Sequence, residues 1–300
     1  FRVRSRRLVF DPQSPGAGGP IDLSGLEADE VAVVLNAGEA RAFGGSRDLL
    51  TSVANLFDQT EAAVVVVKSG ASGCRVFQNA EELATGVSVG ACPTAHVWPL
   101  GSGDTFAAGF AHAWSAGADP VEAARIGSAA AAYWCGTQDP VLPEAVLSGN
   151  ADSLGLSLLE PTSTADTPRV YLAGPFFNLG ELWLVELVRN ALLAQGVEVF
   201  SPLHDVGRGD DSVARADIEG LRTCSSVLAL LDGSDFGTVF ETGWAECAHI
   251  PVVGYATRPD EEGTKMLTGL SGELHNDLST AVYRAAWRAL GAPALPRPAS

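Results

Sequence analysis

The sequence is poor in positive charge. It has 19 Lys and Arg residues against 36 Asp and Glu residues, which gives a formal net charge of -17 and a pI near 4.6. Most of such a surface repels the phosphate backbone of a nucleic acid, so we expect no nucleic-acid polymer as a partner. The basic residues within positions 1–7 are interpreted as a solvated strand edge.

The sequence also lacks a long apolar run. Apolar runs such as 62–67 and 226–231 are far shorter than the roughly 20 residues that a helix needs to cross a bilayer. No signal-peptide pattern is visible near Phe1. We therefore expect a cytoplasmic protein without a membrane partner.

Cysteines are few, and their spacing does not suit a metal. There are five of them, with no C-x-x-C pair, so no metal site and no disulfide framework is predicted. Most lie among apolar or small residues, which favours buried, reduced thiols. Three tryptophans on apolar helical faces are also expected in the core; they are Trp183, Trp244 and Trp287.

Apolar and small residues, in contrast, are abundant. A hydrophobic content of 46% in 300 residues is enough for two packed domains. Short apolar runs alternate with longer amphipathic stretches, which is typical of βαβ units and mostly parallel sheets. A composition rich in Pro, Ser and Thr marks a linker, so we predict domains at 1–150 and 169–300 joined by residues 151–168.

In the first half, a loop of small residues precedes a predicted helix. The stretch Trp98–Phe110 places Gly101, Ser102 and Gly103 directly before Asp104. The backbone N–H groups at a helix start can hold an anion, and an acid beside them could take a proton from a sugar hydroxyl. An acid in the first turn is equally explained by the helix dipole, so the spacing alone leaves both interpretations open.

This loop resembles the signature of the ribokinase-like (PfkB-type) carbohydrate kinases. "GSGDTFAAGF" matches that signature, "LNAGEA" resembles the family's N-x-x-E motif, and the segment 64–77 resembles a strand pair near its nucleotide site. The resemblance covers about 8–137, only the nucleotide-side part of such a kinase. It implies a partial ribokinase-like α/β domain that is either a kinase, using ATP and Mg, or an assembly scaffold. The implied base is Asp104, and the implied nucleotide- and phosphate-binding residues are Gly101, Ser102, Gly103, Asn36 and Glu39.

In the second half, acids gather where strands end and helices begin. Asp232 ends a predicted strand, Asp235 follows in the loop, Glu241 lies in the next helix, and Asp217 lies on the preceding helix. Loops at the carboxyl ends of parallel strands form the ligand crevice of such sheets. Carboxylates there could stabilise or attack an anomeric carbon. Ordinary turn and helix-start acids, worth about 0.3–1 kcal/mol each, explain the same spacing.

The second half resembles the nucleoside 2-deoxyribosyltransferases. The motifs "VYLAGPFFN", "VFSPLHDVG" and the run 216–245 agree in order over about 169–256. The resemblance implies a flavodoxin-like (Rossmann-like) parallel sheet, and transfer of a 2-deoxyribosyl group between nucleobases through a covalent sugar–enzyme intermediate. Glu241 falls on the nucleophile, Asp235 on the acid that contacts the sugar hydroxyl, and Asp217 on the acid near the nucleobase.

The same resemblance implies the remaining features of the site. Tyr171, Gly174, Pro175 and Phe176 match the loop that lines it, and Asn276 loosely matches an asparagine from a neighbouring subunit. We add Asp232 to the substrate-binding residues because it lies in the same predicted crevice. The expected partners are a small-molecule nucleoside and a nucleobase, in a homo-oligomer that needs no cofactor for the transfer. The alternatives are an N-glycoside hydrolase on the same site and a sugar or nucleoside kinase that uses Asp104.

Overall fold

The chain forms two compact units. The computed structural model describes residues 3–13, 20–80, 86–160, 168–233, 235–259 and 261–295. One unit comprises Phe1–Thr94 and Trp98–Pro161, and the other comprises Ala95–Val97 and Thr162–Ser300. Within the predicted linker, residues 161–167 lie outside the described part of the chain. Among the described residues, no helix has the length and hydropathy to span a membrane.

The first unit is built on a mixed sheet of five strands. Strand order is β1-β2-β3-β4-β5, parallel from β1 to β3 and antiparallel from β3 to β5. The strands are β1 (Val3–Phe10), β2 (Leu26–Asn36), β3 (Val64–Lys68), β4 (Cys74–Phe77) and β5 (Val87–Val89). The carboxyl ends of the three parallel strands therefore meet at one edge.

Helices cover both faces of this sheet. They are α1 (Ala37–Gly44), α2 (Leu49–Thr60), α3 (Ser102–Ser115), α4 (Pro120–Thr137) and α5 (Glu144–Leu147). Since side chains alternate along a strand, Val34 faces Phe110 of α3, whereas Val33 faces Leu56 of α2. Both strand faces are thus apolar, which explains the continuous apolar runs of β2 and β3.

The second unit has an all-parallel sheet. Its order is β10-β9-β8-β6-β7, the doubly wound arrangement of flavodoxin-like folds. The strands are β6 (Arg169–Ala173), β7 (Glu198–Phe200), β8 (Ser226–Leu230), β9 (Val252–Tyr255) and β10 (Glu273–His275). The predicted fold class, α/β in both halves with a parallel sheet in the second, is confirmed.

In the described part of the second unit, five α-helices flank the parallel sheet. They are α6 (Leu179–Leu193), α7 (Ser212–Arg222), α8 (Phe236–Cys247), α9 (Glu261–Gly269) and α10 (Leu278–Ala289). Leu221 of α7 and Ala245 of α8 share a core cluster with Tyr171 and Val227. The strand order reverses between β6 and β8, the position where such folds bind ligands.

One expectation about the core needs correction, that for Trp183, whereas the expectation that most cysteines are buried is confirmed. Trp287 is buried and Trp244 packs against a core cluster, but Trp183 is 65% exposed. The buried stripe of α6 includes Val185 and Val188, and Trp183 points to the opposite side because two residues turn a helix by about 200°. Among the cysteines, Cys247 is exposed, while Cys74, Cys92 and Cys224 are buried free thiols.

Candidate active site

The centre of the predicted site in the second unit is a hydrogen-bonded pair. The Tyr171 hydroxyl donates to Glu241 Oε1 at 2.7 Å. Tyr171 lies fully buried on the central strand β6, and Glu241 lies in the second turn of α8. The bond fixes one carboxylate oxygen and leaves Oε2 as the atom that could meet a ligand.

The environment of Glu241 opposes ionisation. Burial raises its pKa to about 7, the Tyr171 hydrogen bond lowers it, and the carboxylates of Asp217 and Asp235 raise it. The same surroundings raise the pKa of the Tyr171 phenol, chiefly through burial and then through the charge of Glu241. The tyrosine therefore stays protonated and remains a donor at any physiological pH.

Asp217 carries a polar atom without a partner. Within the described part of the chain, no group hydrogen-bonds to its buried Oδ1. Burial raises the pKa of this carboxyl, which favours its neutral, proton-donating form. An orphaned buried oxygen is costly, so it calls for a partner that arrives with a ligand or with water.

Asp235 has a structural role at the start of α8. It is the N-cap residue, and its Oδ2 accepts from the Thr238 N–H at 2.8 Å and the Thr238 hydroxyl at 3.0 Å. The interpretation of Asp235 as an ordinary helix-start acid is therefore correct for one of its carboxylate oxygens. Capping uses only one oxygen of the carboxylate, because both hydrogen bonds from Thr238 end on Oδ2. Oδ1 is the second acceptor.

The loop after β6 supplies the predicted lining residues. Pro175 is buried, and a side chain on Gly174 would come within 3.0 Å of Leu230, so the loop passes close to β8. Phe176 stacks on the exposed Phe177, with ring centroids 5.3 Å apart. These aromatic faces border the edge where the acids lie.

Two further predicted residues lie at the same edge of the sheet. Asp232 accepts from the Thr257 N–H at 3.0 and 3.1 Å and from the Thr257 hydroxyl at 3.2 Å, so both its oxygens join the loops after β8 and β9. Asn276 is exposed directly after β10, one of the two edge strands. The carboxylate of Asp232 is thus engaged within the protein, whereas Asn276 faces outward.

In the first unit, the loop predicted to bind an anion, residues 101–103, packs against the indole of Trp134. Gly101 has φ 83°, and a Cβ there would lie 3.3 Å from the Trp134 ring. The Trp134 Nε1–H donates to Leu100 O at 2.7 Å. Ser102 gives both its N–H and its hydroxyl to Pro99 O, at 3.1 and 2.7 Å. Both donors of Ser102 are thus engaged within the protein.

Charged groups from three strand ends lie around Asp104. Its Oδ1 accepts from the Gln13 amide at 2.6 Å. Lys68 Nζ lies 3.2 Å from the position of a Cβ on Gly103 and 3.0 Å from Asp11 Oδ2. Burial raises the pKa of Asp11, Lys68 lowers it, and Glu39 and Asp104 raise it, so these groups share one region.

The N-x-x-E motif forms a capping box. Asn36 Oδ1 accepts from the Glu39 N–H at 2.9 Å, and Glu39 Oε2 accepts from the Asn36 N–H at 2.8 Å. The two side chains therefore start α1 at the end of β2. Among the described residues, no three His, Cys, Asp or Glu side chains are arranged to hold a metal ion.

Comparison with known families agrees with this division of the chain. Residues 170–277 match the nucleoside 2-deoxyribosyltransferase family model. Residues 29–144 match the model of the pfkB family of carbohydrate kinases. Both resemblances predicted from sequence are confirmed. No curated protein matches the chain in a sequence search.

Similar solved structures include a deoxyribosyltransferase and two kinases. A 2-deoxyribosyltransferase from Bacillus psychrosaccharolyticus is 25% identical over 43% of this chain and 99% of its own, with a TM-score of 0.36. Ribokinase from Arabidopsis thaliana is 24% identical over 47% of this chain and 46% of its own, with a TM-score of 0.37. A Methanocaldococcus jannaschii nucleoside kinase is 18% identical over 41% and 40%, with a TM-score of 0.34. The kinase-like part thus spans less than half of these two kinases.

Several residues around the deoxyribosyltransferase-like site were missed by sequence reasoning. Thr238 holds Asp235, Thr257 holds Asp232, and Arg208 Nη2 donates to Phe176 O at 2.9 Å. In the kinase-like part, Asp11 and Lys68 were missed as well. Both stand at the carboxyl ends of parallel strands, which was the available signal.

Proposed function

We propose that the second unit transfers a 2-deoxyribosyl group between nucleobases, with Glu241 as the nucleophile. The observation that carries the proposal is the Tyr171–Glu241 hydrogen bond, made in a buried setting that also contains Asp217 and Asp235. The bond orients one carboxylate oxygen and stabilises its charge, as a nucleophile requires. The family match over 170–277 supports the same reaction class.

In the first step, Glu241 Oε2 bonds to C1′ of a deoxynucleoside. The C1′–N bond breaks, its electron pair goes to the base, and Asp217 in its neutral form gives the base a proton. Asp235 Oδ1 accepts a hydrogen bond from a sugar hydroxyl and steadies the oxocarbenium-like transition state. The products are a free base and a glycosyl ester on Glu241.

In the second step, the ester is returned to an acceptor. A second base attacks C1′, loses its N–H proton to Asp217, and releases the Glu241 carboxylate. Water in place of the base would make the enzyme an N-glycoside hydrolase, the alternative on the same site. The stacked Phe176 and Phe177 favour a base as acceptor, because aromatic faces suit a planar ring.

Charges near the site favour a nucleoside over a nucleotide. The N-terminus of α6 is closed by a capping box in which Glu181 accepts from the N–H groups of Phe177 and Asn178. The N-terminus of α8 is closed by Asp235. Carboxylates thus occupy the two helix ends where a phosphate would bind.

We propose that further copies of the chain cover an apolar surface beside this site. On α6, Leu179, Trp183 and Leu187 recur every four residues and are 82%, 65% and 40% exposed. On α8, Phe236 and Phe240 are 91% and 65% exposed. Apolar surface of this kind favours burial against a second subunit, and a homo-oligomer would allow a neighbour's Asn276 to approach.

The base-exchange assay tests this function. The protein is incubated with a deoxynucleoside and a different free base, and the products are separated by chromatography. We expect a new deoxynucleoside from the intact chain and from the matched control Glu246→Gln on the same helix, but not from Glu241→Gln. Base release without exchange would instead support the hydrolase, and no release at all would exclude both.

A second candidate function, ATP-dependent phosphorylation of a sugar or nucleoside, rests on Lys68. Its ammonium beside Gly103, together with the α3 N-terminus, suits a phosphoryl group. Asp104 would take the proton of the attacking hydroxyl. We expect any ATP-dependent turnover to be lost in Asp104→Asn and retained in Asp58→Asn, an exposed acid on α2. Full turnover in Asp104→Asn would exclude this role.

A further inference from the structure

Three elements pack together next to the Tyr171–Glu241 pair, namely β6 with Tyr171, β7 with Phe200 and α7 with Gly220. Phe200 is directly opposite Tyr171 in the pairing of β6 with β7. Their rings are stacked, with centroids 5.5 Å apart and planes at 12°. The side of Phe200 that could meet α7 is covered by Gly220, where a Cβ atom would lie only 2.1–2.5 Å from the ring.

The close approach at Gly220 sets the height of α7 above the sheet. Atoms separated by 2.1–2.5 Å overlap severely, so no residue with a Cβ fits without a shift of the helix or the ring. Phe200 is backed by the fully buried Tyr171 on a central strand, whereas α7 has a largely exposed outer face. The helix is therefore the element that yields.

Asp217 is placed by this same approach. It precedes Gly220 by three residues, so the two lie on neighbouring positions of one helical face. The charge of Asp217 acts on both Glu241 and Tyr171, which requires α7 to lie close to them. The close contact of Gly220 with Phe200 thus fixes the distance between the carboxyl groups of Asp217 and Glu241.

We propose that Phe200 and Gly220 are positioning residues for the transfer, seating α7 so that Asp217 faces Glu241. This rests on the proposed function, in which Asp217 and Glu241 act on the two sides of one C1′–N bond. Neither residue touches the substrate. Their contribution is the geometry of proton donor and nucleophile, where an error of about 1 Å can cost on the order of 100-fold in rate.

The test is a size exchange across the contact. In Gly220→Ala, the methyl group pushes α7 outward, and we expect kcat for base exchange to fall on the order of 100-fold with a smaller change in KM. Phe200→Leu removes the three ring atoms that clash. We expect Gly220→Ala combined with Phe200→Leu to recover about tenfold or more over Gly220→Ala alone, a coupling that independent sites do not give. Gly269→Ala, at a helical position with open space, is the matched control.

A second readout does not depend on turnover. Burial and Asp217 hold the pKa of Glu241 high, so moving α7 outward lowers it, and the size exchange brings it back. The carboxyl carbon of Glu241, assigned by its absence in Glu241→Gln, can be titrated by ¹³C NMR in the full chain. If Gly220→Ala alone does not fold but folds when it is combined with Phe200→Leu, that result also supports the contact.

Three results would overturn the proposal. The first is a folded Gly220→Ala that keeps the wild-type kcat and the wild-type pKa of Glu241. The second is a double variant in which the losses of kcat from the two substitutions merely add. The third is a double variant that fails to fold. If the wild-type chain shows no base exchange, the proposed function fails, and the titration of Glu241 still decides whether Gly220 and Phe200 set the position of α7.

Discussion

At the scale of single residues, burial separates the acids by role. Glu241 and Asp217 both have raised pKa values with burial as the main cause, whereas both oxygens of Asp232 are used by Thr257. Sequence spacing could bring these acids to one sheet edge but could not separate them. The difference depends on burial and on partners from distant segments, as with Tyr171, which is 70 positions from Glu241.

Asp217 is expected to matter only when the leaving base needs a proton. For an ordinary deoxynucleoside, Asp217→Asn should lower kcat by about 100-fold or more, the usual contribution of a general acid. For 7-methyl-2′-deoxyguanosine, whose base is already cationic, the loss should be small. Steady-state rates for the two substrates decide this, and equal losses on both would remove Asp217 from the proton transfer.

Tyr171 is expected to tune the nucleophile. Its hydrogen bond lowers the pKa of Glu241, so Tyr171→Phe should raise that pKa above about 7. Because the ionised carboxylate is the reactive form, the acidic limb of the rate on 7-methyl-2′-deoxyguanosine should move to higher pH. A pH–rate profile of both proteins tests this, and a limb that stays in place or moves to lower pH contradicts the assigned bond.

At the scale of elements, many strands and helices follow from the sequence. Apolar runs bounded by turn residues indicate β2, β3, β6 and β8, and an amphipathic stretch that is followed by Gly196 indicates α6. The pattern missed α1, α2, α5, α9, β5 and β10. The last two are three-residue strands defined by their neighbours, and α1 begins with a capping box that was interpreted as a ligand motif.

Two substitutions of Asp235, at the start of α8, separate its role as a helix cap from its proposed role in sugar binding. Asp235→Asn keeps an oxygen that can cap Thr238 but removes the charge, so stability should hold while kcat/KM falls by tenfold or more. Asp235→Ala should lose the same activity and also lower the free energy of unfolding by about 1 kcal/mol. Urea unfolding beside the exchange assay measures both. Unchanged activity in Asp235→Asn would leave the residue a cap alone.

At the scale of the whole molecule, a kinase-like unit of partial length precedes a deoxyribosyltransferase-like unit. The sequence indicated this order and the resemblances, because each motif set is local in the chain. It did not indicate the apolar surface of α6. Helical periodicity shows that Trp183 belongs to an apolar set, but not whether that set faces its own sheet or another subunit.

Assembly is expected to depend on that surface. Trp183→Asp places a charge within the exposed apolar stripe of α6, so it should reduce the mass in solution, measured by light scattering, without unfolding the chain. Arg189→Lys, on the same helix and conservative in charge, serves as the control. An unchanged mass in Trp183→Asp would show that the stripe does not hold an oligomer together.

The proposed reaction requires a covalent bond between Glu241 and C1′ of the sugar. The most direct measurement uses a 2′-fluoro-2′-deoxyarabinosyl nucleoside, in which the fluorine slows hydrolysis of the ester, followed by mass spectrometry of the digested protein. We expect one added sugar on the peptide that contains Glu241, and none in Glu241→Gln. A sugar on another residue, or base exchange that proceeds in Glu241→Gln, would contradict it.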